Sequence, residues 1–332
     1  MHGNSGVIYC SGILVLFCIS CVDPSNRDTV DHDLWPTIIN NDSVLNGVRV
    51  NGVRVNGVRV NGVRVNGVAM DGLTVSNTVL QGVSPHDGSL LIGRDFIGAE
   101  MTAELADGET MTVRVQNVEE FPGQSDIYYY TIEYMDYGQW VNICEVNTLA
   151  IPLRGVWDKS GDHIDDGKRF SFACQGSAVA KCIEWGYARW DTALECLDPY
   201  LCDERSLADF HQACTRMVRA DYCGDGTAHT RDGTTIDIWD ALGIMEETPD
   251  SGLELEAEWT VDGAACIIKT RWSKADGGSA VDHIRAHCPG RWAHRTSQCG
   301  KRSSNFHTLV GYRVPTKVRR LLRNSSGDNV EQ

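Results

Sequence analysis

The spacing of apolar residues along this chain changes several times, and each change predicts a different kind of element. From Asn46 the unit Asn-Gly-Val-Arg-Val is written four times to Val65. It continues as Asn66-Gly-Val-Ala-Met70 and Asp71-Gly-Leu-Thr-Val75, then fades through Ser76 to Gln81-Gly-Val83. A period of five fits neither the helix, at about 3.6, nor the flat strand, at about 2. Val or Leu two places after the Asn can point inward and stack. Asn or Asp beside Gly suits a corner with positive φ, and the Arg then faces solvent. About two coils of such stacking fall short of the roughly three repeats that stacked units need. The segment therefore leans on the domain C-terminal to it or runs as an extended spacer, with the role of a spacer or docking surface.

Alternation takes over further along. Thr112-Val-Arg-Val115 and Ile127–Tyr134 read as strands, with turns at Ala106-Asp-Gly108 and Asp136-Tyr-Gly138. Trp140–Cys144 and Ala150–Trp157 add two more, so a small antiparallel sheet or sandwich is expected, its aromatics in the core. Helical spacing follows at Ser177–Trp185 and at Ser206–Ala220, where Ser206 is a plausible N-cap. Phe210, Ala213, Cys214 and Met217 give the second helix its buried face. Strands are expected again at Phe170–Cys174, within Thr230–Asp240, and at Leu253–Trp259 and Ala265–Trp272. The fold class is α+β. It has a short period-five β-solenoid-like segment (46–88), a β-rich region (89–160), a disulfide-rich α+β lobe (161–323) and a disordered tail (324–332).

Cysteine content changes the picture more than length or charge does. Hydrophobic and charged fractions of 42% and 23% in 332 residues are ordinary for a globular chain, whereas 13 cysteines point to an oxidising compartment or metal sites. The apolar run at 6–20 is short for a membrane span and ends in Ile19-Ser20-Cys21, which resembles a bacterial lipobox. Cys18 stands where Leu is usual, and no Lys or Arg precedes the run. In that reading 1–21 is a signal peptide, Cys21 carries the lipid, and 22–45 is a flexible tether; simple secretion and a buried N-terminal segment are the alternatives. Ten cysteines come after it, at 144, 174, 182, 196, 202, 214, 223, 266, 288 and 299, an even number that suits up to five bridges. No Cys-x2-Cys pair is present, so no structural metal and no cofactor is expected. The inward cysteines of the two helices make Cys182–Cys214 the one pairing singled out.

Charge is distributed unevenly. From Cys266 to Arg323 there are 13 Lys or Arg against two Asp, a net +11 beside −15 for the whole chain, which leaves −26 on the rest. The basic stretch either complements the acidic body or offers a face to anionic surface polymers. The Arg residues of the repeats are too sparse for nucleic acid. Candidate chemistry is confined to a few groups. His211, Asp221, Asp225 and His229 could gather near the glycine turn. His211 with Cys214 could form a base and a nucleophile, and His283 with His287 lie four apart, as in helical zinc sites. The Asp cluster at 221, 225, 232, 237 and 240 lacks calcium-loop spacing. Several Trp stand beside Arg or His, as at Arg271-Trp272 and Arg291-Trp292, and suit sugar stacking as well as core packing. A binding or structural module and a secreted or metal-dependent hydrolase both stay open.

Cysteines flank the point where the second helix stops, in Ala220-Asp-Tyr-Cys-Gly-Asp-Gly226. This stretch resembles the signature of the ADYC domain family of bacterial exported proteins, over about 165–300. The resemblance implies an exported domain and carries no catalytic residue across. The repeats at 46–83 are similar to pentapeptide repeats, which wind as a β-solenoid. The residues of the signature themselves predict a structural corner. Cys223 belongs in a disulfide, Gly224 or Gly226 in a positive-φ turn, Asp221 on backbone N–H groups, and Tyr222 in the core with its hydroxyl paired.

Overall fold

A computed structural model describes residues 48–50, 58–65, 68–70, 73–84, 87–104, 110–121, 124–144, 148–165, 167, 169–198, 201–231, 233–275, 278–293 and 320–327. The tether and the Cys21 lipobox lie outside them. Among the described residues no helix is long and apolar enough to cross a membrane.

The larger sheet closes on itself. Its path runs from Gln124–Asp136 through Ala150–Arg154, Phe170–Cys174, Val58–Val65, Glu100–Glu104 and Thr110–Phe121, and the last strand pairs back to the first. Period-two patterning sorts the side chains of this ring. Tyr130, Ile132, Val113, Val115 and Phe172 fill one core, while Tyr129, Ile127, Ile151 and Leu153 pack a second with Val179 and Ile183 of helix α1 (Ala178–Glu184). Ser177 caps α1 by accepting from the Ala180 N–H.

A five-stranded antiparallel sheet carries the other core, in the order Val48–Val50, Thr234–Asp240, Leu322–Ser326, Glu254–Thr260 and Gly263–Ile267. Helix α2 (Leu207–Arg219) lies on it, with Ser206 as N-cap. Phe210, Ala213, Cys214, Met217 and Val218 meet Ile236, Ile238, Ala257, Trp259 and Leu322. A third helix, α3 (Ala280–His287), is capped by Ser279 and buries Ala280 and Ile284. The three described helices, the sheets and the disulfides make the fold α+β.

The described repeats form strands within these sheets, and no solenoid coil occurs among the described residues. The register gives the reason. Arg59 stands opposite Glu104 and Arg64 opposite Glu100, so five residues of the repeat span four of its neighbour. The surplus residue falls at Asn61-Gly62, between Val60 and Val63, as a β-bulge. A Val-Arg-Val triplet plus one bulge thus converts a period of five into a strand that keeps step with a period of two. Val48–Val50 joins the other sheet, against Thr234–Ile236. The segment contributes strands to both sheets, which a mere spacer would not.

Other boundaries move as well. Phe170–Cys174 lies beyond the expected division at 160/161 yet belongs to the ring, because it pairs with Ala150–Arg154. Ala150–Trp157 breaks at Gly155, whose φ is 85° and whose Cβ would collide with His163. Three residues of the expected tail are part of the fold. Asn324, Ser325 and Ser326 are buried in the middle of the five-stranded sheet, where pairing on both sides satisfies their backbone.

Candidate functional site

Helix α2 stops at Ala220, which takes the left-handed conformation at φ 51°. Its N–H donates to the Met217 carbonyl and that of Asp221 to Arg216, the overlapping pattern that ends a helix without a glycine. The glycines serve the next turn. Gly224 and Gly226 have φ of 70° and 88°, and a Cβ on either would strike the Asp262 or the Lys159 carbonyl. Asp221 is buried and accepts from the Asp225 and Gly226 N–H groups, both at 3.1 Å, and from Arg216 Nη1 at 2.6 Å. Arg216 also donates to the Ser160 carbonyl and, at 2.5 Å, to Asp162. Cys223 is bridged to Cys288.

Beneath this turn lies a second network. Tyr222 is fully buried; its hydroxyl donates to Glu256 at 3.0 Å and accepts the Arg271 N–H at 2.8 Å. Arg271 Nε and Nη2 donate to Glu256, Nη2 also to the Met217 carbonyl, and Nη1 to the Val218 carbonyl and to Thr230. All five guanidinium N–H groups are thereby used, two of them on the carbonyl end of α2, where a cation is favoured. Asn324 donates to the second Glu256 oxygen and accepts from Trp259 Nε1. Burial raises the Tyr222 hydroxyl pKa well above its ordinary value, helped by the Glu256 charge. The basic C-terminal stretch therefore turns inward at four of its five described arginines: Arg271 on Glu256, Arg291 on the Tyr222 and Asp262 carbonyls, Arg320 and Arg323 on Glu258, while Arg285 stays exposed beside Asp282.

The four polar residues singled out in the sequence do not share one site. His211 is buried between α1 and Trp157; its Nε2 donates to the Val179 carbonyl and its Nδ1 accepts from Arg189. Burial, with the Arg189 charge behind it, depresses its pKa well below 6.5 and keeps it neutral. Asp221 is committed to Arg216. Asp225 and His229 do come together, with His283 and His287 of α3. His283 Nε2 donates to Asp225 at 2.8 Å, and the His229 and His287 rings lie 4.9 and 4.2 Å from that of His283. Burial works to raise the Asp225 carboxyl, but Thr227 and His283 outweigh it and hold it below the usual range. Burial and His283 push His229 down to about 4. Neither ring nitrogen of His229 makes a hydrogen bond of normal geometry, although the Gly278 backbone comes near.

The cysteines form Cys144–Cys174, Cys182–Cys214, Cys196–Cys202 and Cys223–Cys288. Cys214 is therefore no nucleophile for His211. Cys266 is bridged too, to a partner outside the described residues, where Cys299 also lies.

A cleft of about 670 Å³ opens on the other side of His211, a place the sequence did not mark. Its walls bring together Ser76 and Asn77, Arg154, His163 and Asp165, Arg169, Arg189 and Trp190. Among the described residues of the wall three guanidiniums stand with one carboxylate, Asp165, which pairs with Arg154 at 3.0 Å. Arg189 lies 5.4 Å from the Trp157 ring, and burial lowers its pKa to about 10 against the opposing pull of Asp165 and Asp209. His163 Nε2 donates to the Arg154 carbonyl at 2.8 Å. Burial with Arg189 drives the His163 pKa to about 4, so the donor is a neutral ring. The Trp157 and Trp190 indole N–H groups have no hydrogen-bond partner.

No curated protein and no solved structure matches this chain. The model of the ADYC domain matches residues 93–273, more than half of the sequence. That range takes in ring strands, the charged residues of the cleft and the signature turn, and on it the chain belongs to the ADYC domain family.

Proposed function

We propose that this protein is an exported, disulfide-stabilised binding module, held at the cell envelope by a lipid on Cys21, whose cleft takes a negatively charged carbohydrate segment of a surface polymer. The observation that carries the reading is the gathering of three guanidiniums, Arg154, Arg169 and Arg189, with one carboxylate, Asp165, among the described residues of the cleft wall. Arginine forks suit sulfate and carboxylate groups, and the cleft's volume lies in the range of about 300–1,000 Å³ usual for ligand pockets. Trp190 adds an aromatic wall and an N–H that a sugar hydroxyl could satisfy. The bridges suit an oxidising compartment.

Two experiments test this. Tryptophan fluorescence titrated with uronic-acid or sulfated oligosaccharides should show saturable binding that weakens with salt; neutral oligosaccharides binding equally well would refute the role of the arginines. Cys21→Ser should move the protein from the membrane to the soluble fraction, and unchanged membrane association would remove the anchor.

A further inference from the structure

We propose that Cys223, Asp225 and His283 form a binding site for a divalent d-block cation such as zinc, available when the Cys223–Cys288 bridge is reduced. One donor atom from each residue already lies within 4.8 Å of the other two. Sulfur, imidazole nitrogen and carboxylate oxygen are the donors zinc prefers, at about 2.0–2.3 Å, which sets tetrahedral donors about 3.3–3.7 Å apart; the Cys223 sulfur would move by no more than about an ångström, and the Asp225–His283 pair, now at 2.8 Å, would open slightly to admit the metal. The flexible part of the arrangement is at hand, since Cys223 is only partly buried and the Asp225 side chain is 36% exposed.

His229 is the independent sign of a ligand. It is wholly buried, neither ring nitrogen makes a hydrogen bond of normal geometry, and its ring stands 4.9 Å from that of His283. A buried imidazole left unsatisfied is costly unless something occupies it part of the time. Its ring lies beside that of His283 and outside the trio of donor atoms that are within 4.8 Å of one another, so the fourth position falls to water. The Cys223–Cys288 bridge also differs from its fellows. Cys144, Cys174, Cys182, Cys214 and Cys266 are buried and Cys196–Cys202 is exposed, but among the described residues no other bridge gathers a histidine and a carboxylate at its sulfur.

The bridge keeps the site shut, because a thiolate ligates metal and a neutral disulfide sulfur is a poor donor. Opening it takes a dithiol. Two electrons and two protons pass from the dithiol, which becomes a disulfide, to Cys223 and Cys288, which become thiols. The cation then displaces the proton from Cys223 Sγ. His283 moves its own proton from Nε2 to Nδ1 and offers the Nε2 lone pair. The metal would replace the covalent tie between the signature turn and α3 with a coordinate one, so that the corner stays joined in either redox state.

Cobalt(II) reports such a site through its sulfur-to-metal charge-transfer absorption. Cys288→Ser frees Cys223 without touching the other bridges. This variant should take up one cobalt per chain with that absorption, while the unreduced parent shows none. Adding His283→Gln or Asp225→Asn should weaken cobalt binding by roughly tenfold or more. Absence of the sulfur band, or a band indifferent to both substitutions, overturns the proposal. Should Cys288→Ser fail to fold, the full chain reduced with dithiothreitol and then freed of it answers the same question. Cobalt should then give the band and raise the melting temperature; a reduced chain that shows no band would sink the idea.

Discussion

The signature turn and the arginine cleft both gather charge within one family domain, buried in the first and open to solvent in the second, and they treat it in opposite ways. Around Tyr222 the donors and acceptors are matched: Arg271 spends every N–H, Glu256 accepts on both oxygens, and Asp221 is met by Arg216 and two backbone N–H groups. In the cleft, guanidiniums outnumber carboxylates among the described lining residues, and the Trp190 indole N–H finds no partner. A saturated network can only hold the fold together, whereas an unsaturated one can still receive a ligand. The four letters that mark the family thus read as architecture, and the binding we propose would fall to residues contributed by other elements.

Breaking the saturated side should cost most. Arg271→Met leaves Glu256 buried without its counter-ion, and loss of one partner of a buried pair typically costs about 3–5 kcal/mol. Urea unfolding should show this, and a loss below about 1 kcal/mol would mean that Glu256 is not the anionic centre of the network. Asp221→Asn keeps the shape but weakens the charge-assisted bond to Arg216 and one of the turn's contacts. A loss of about 1–3 kcal/mol is expected from the same measurement.

Acid should act on the cleft side through histidine. His163 is held at about 4 by burial and Arg189, while an unfolded histidine titrates near 6.5. Between those values the unfolded chain binds more protons, so stability is present above about pH 6.5 and declines as pH falls toward 4. His211, depressed in the same direction, adds to the slope. His163→Asn should flatten the melting temperature across this window; an unchanged slope would place the acid sensitivity elsewhere.

Much of the fold is legible locally. Helices α1 and α2, their serine caps and the facing Cys182 and Cys214 follow from apolar spacing, and the glycines at 224 and 226 announce the turn. Features set by distant partners are not. The period-five segment reads as corners until Glu100 and Glu104 reveal five residues opposite four. Asn324-Ser-Ser326 looks like the start of a polar tail, because its burial comes from neighbours at 236–240 and 254–259. Arg271 and Glu256 sit on different segments, and the cleft assembles from residues between 73 and 208, none of which forms a motif.

The most direct test of the division between holding and binding is thermal unfolding with and without a sulfated oligosaccharide, run on the parent, Asp221→Asn and Arg154→Ala/Arg169→Ala. Arg154 and Asp165 are largely exposed, so losing that pair should change stability by no more than about 1 kcal/mol. The account predicts that Asp221→Asn melts lower but keeps the upward shift on adding ligand. The double arginine variant should melt close to the parent and lose that shift. A double variant that still responds fully to ligand, or an Asp221→Asn protein that melts normally and no longer responds, would contradict it.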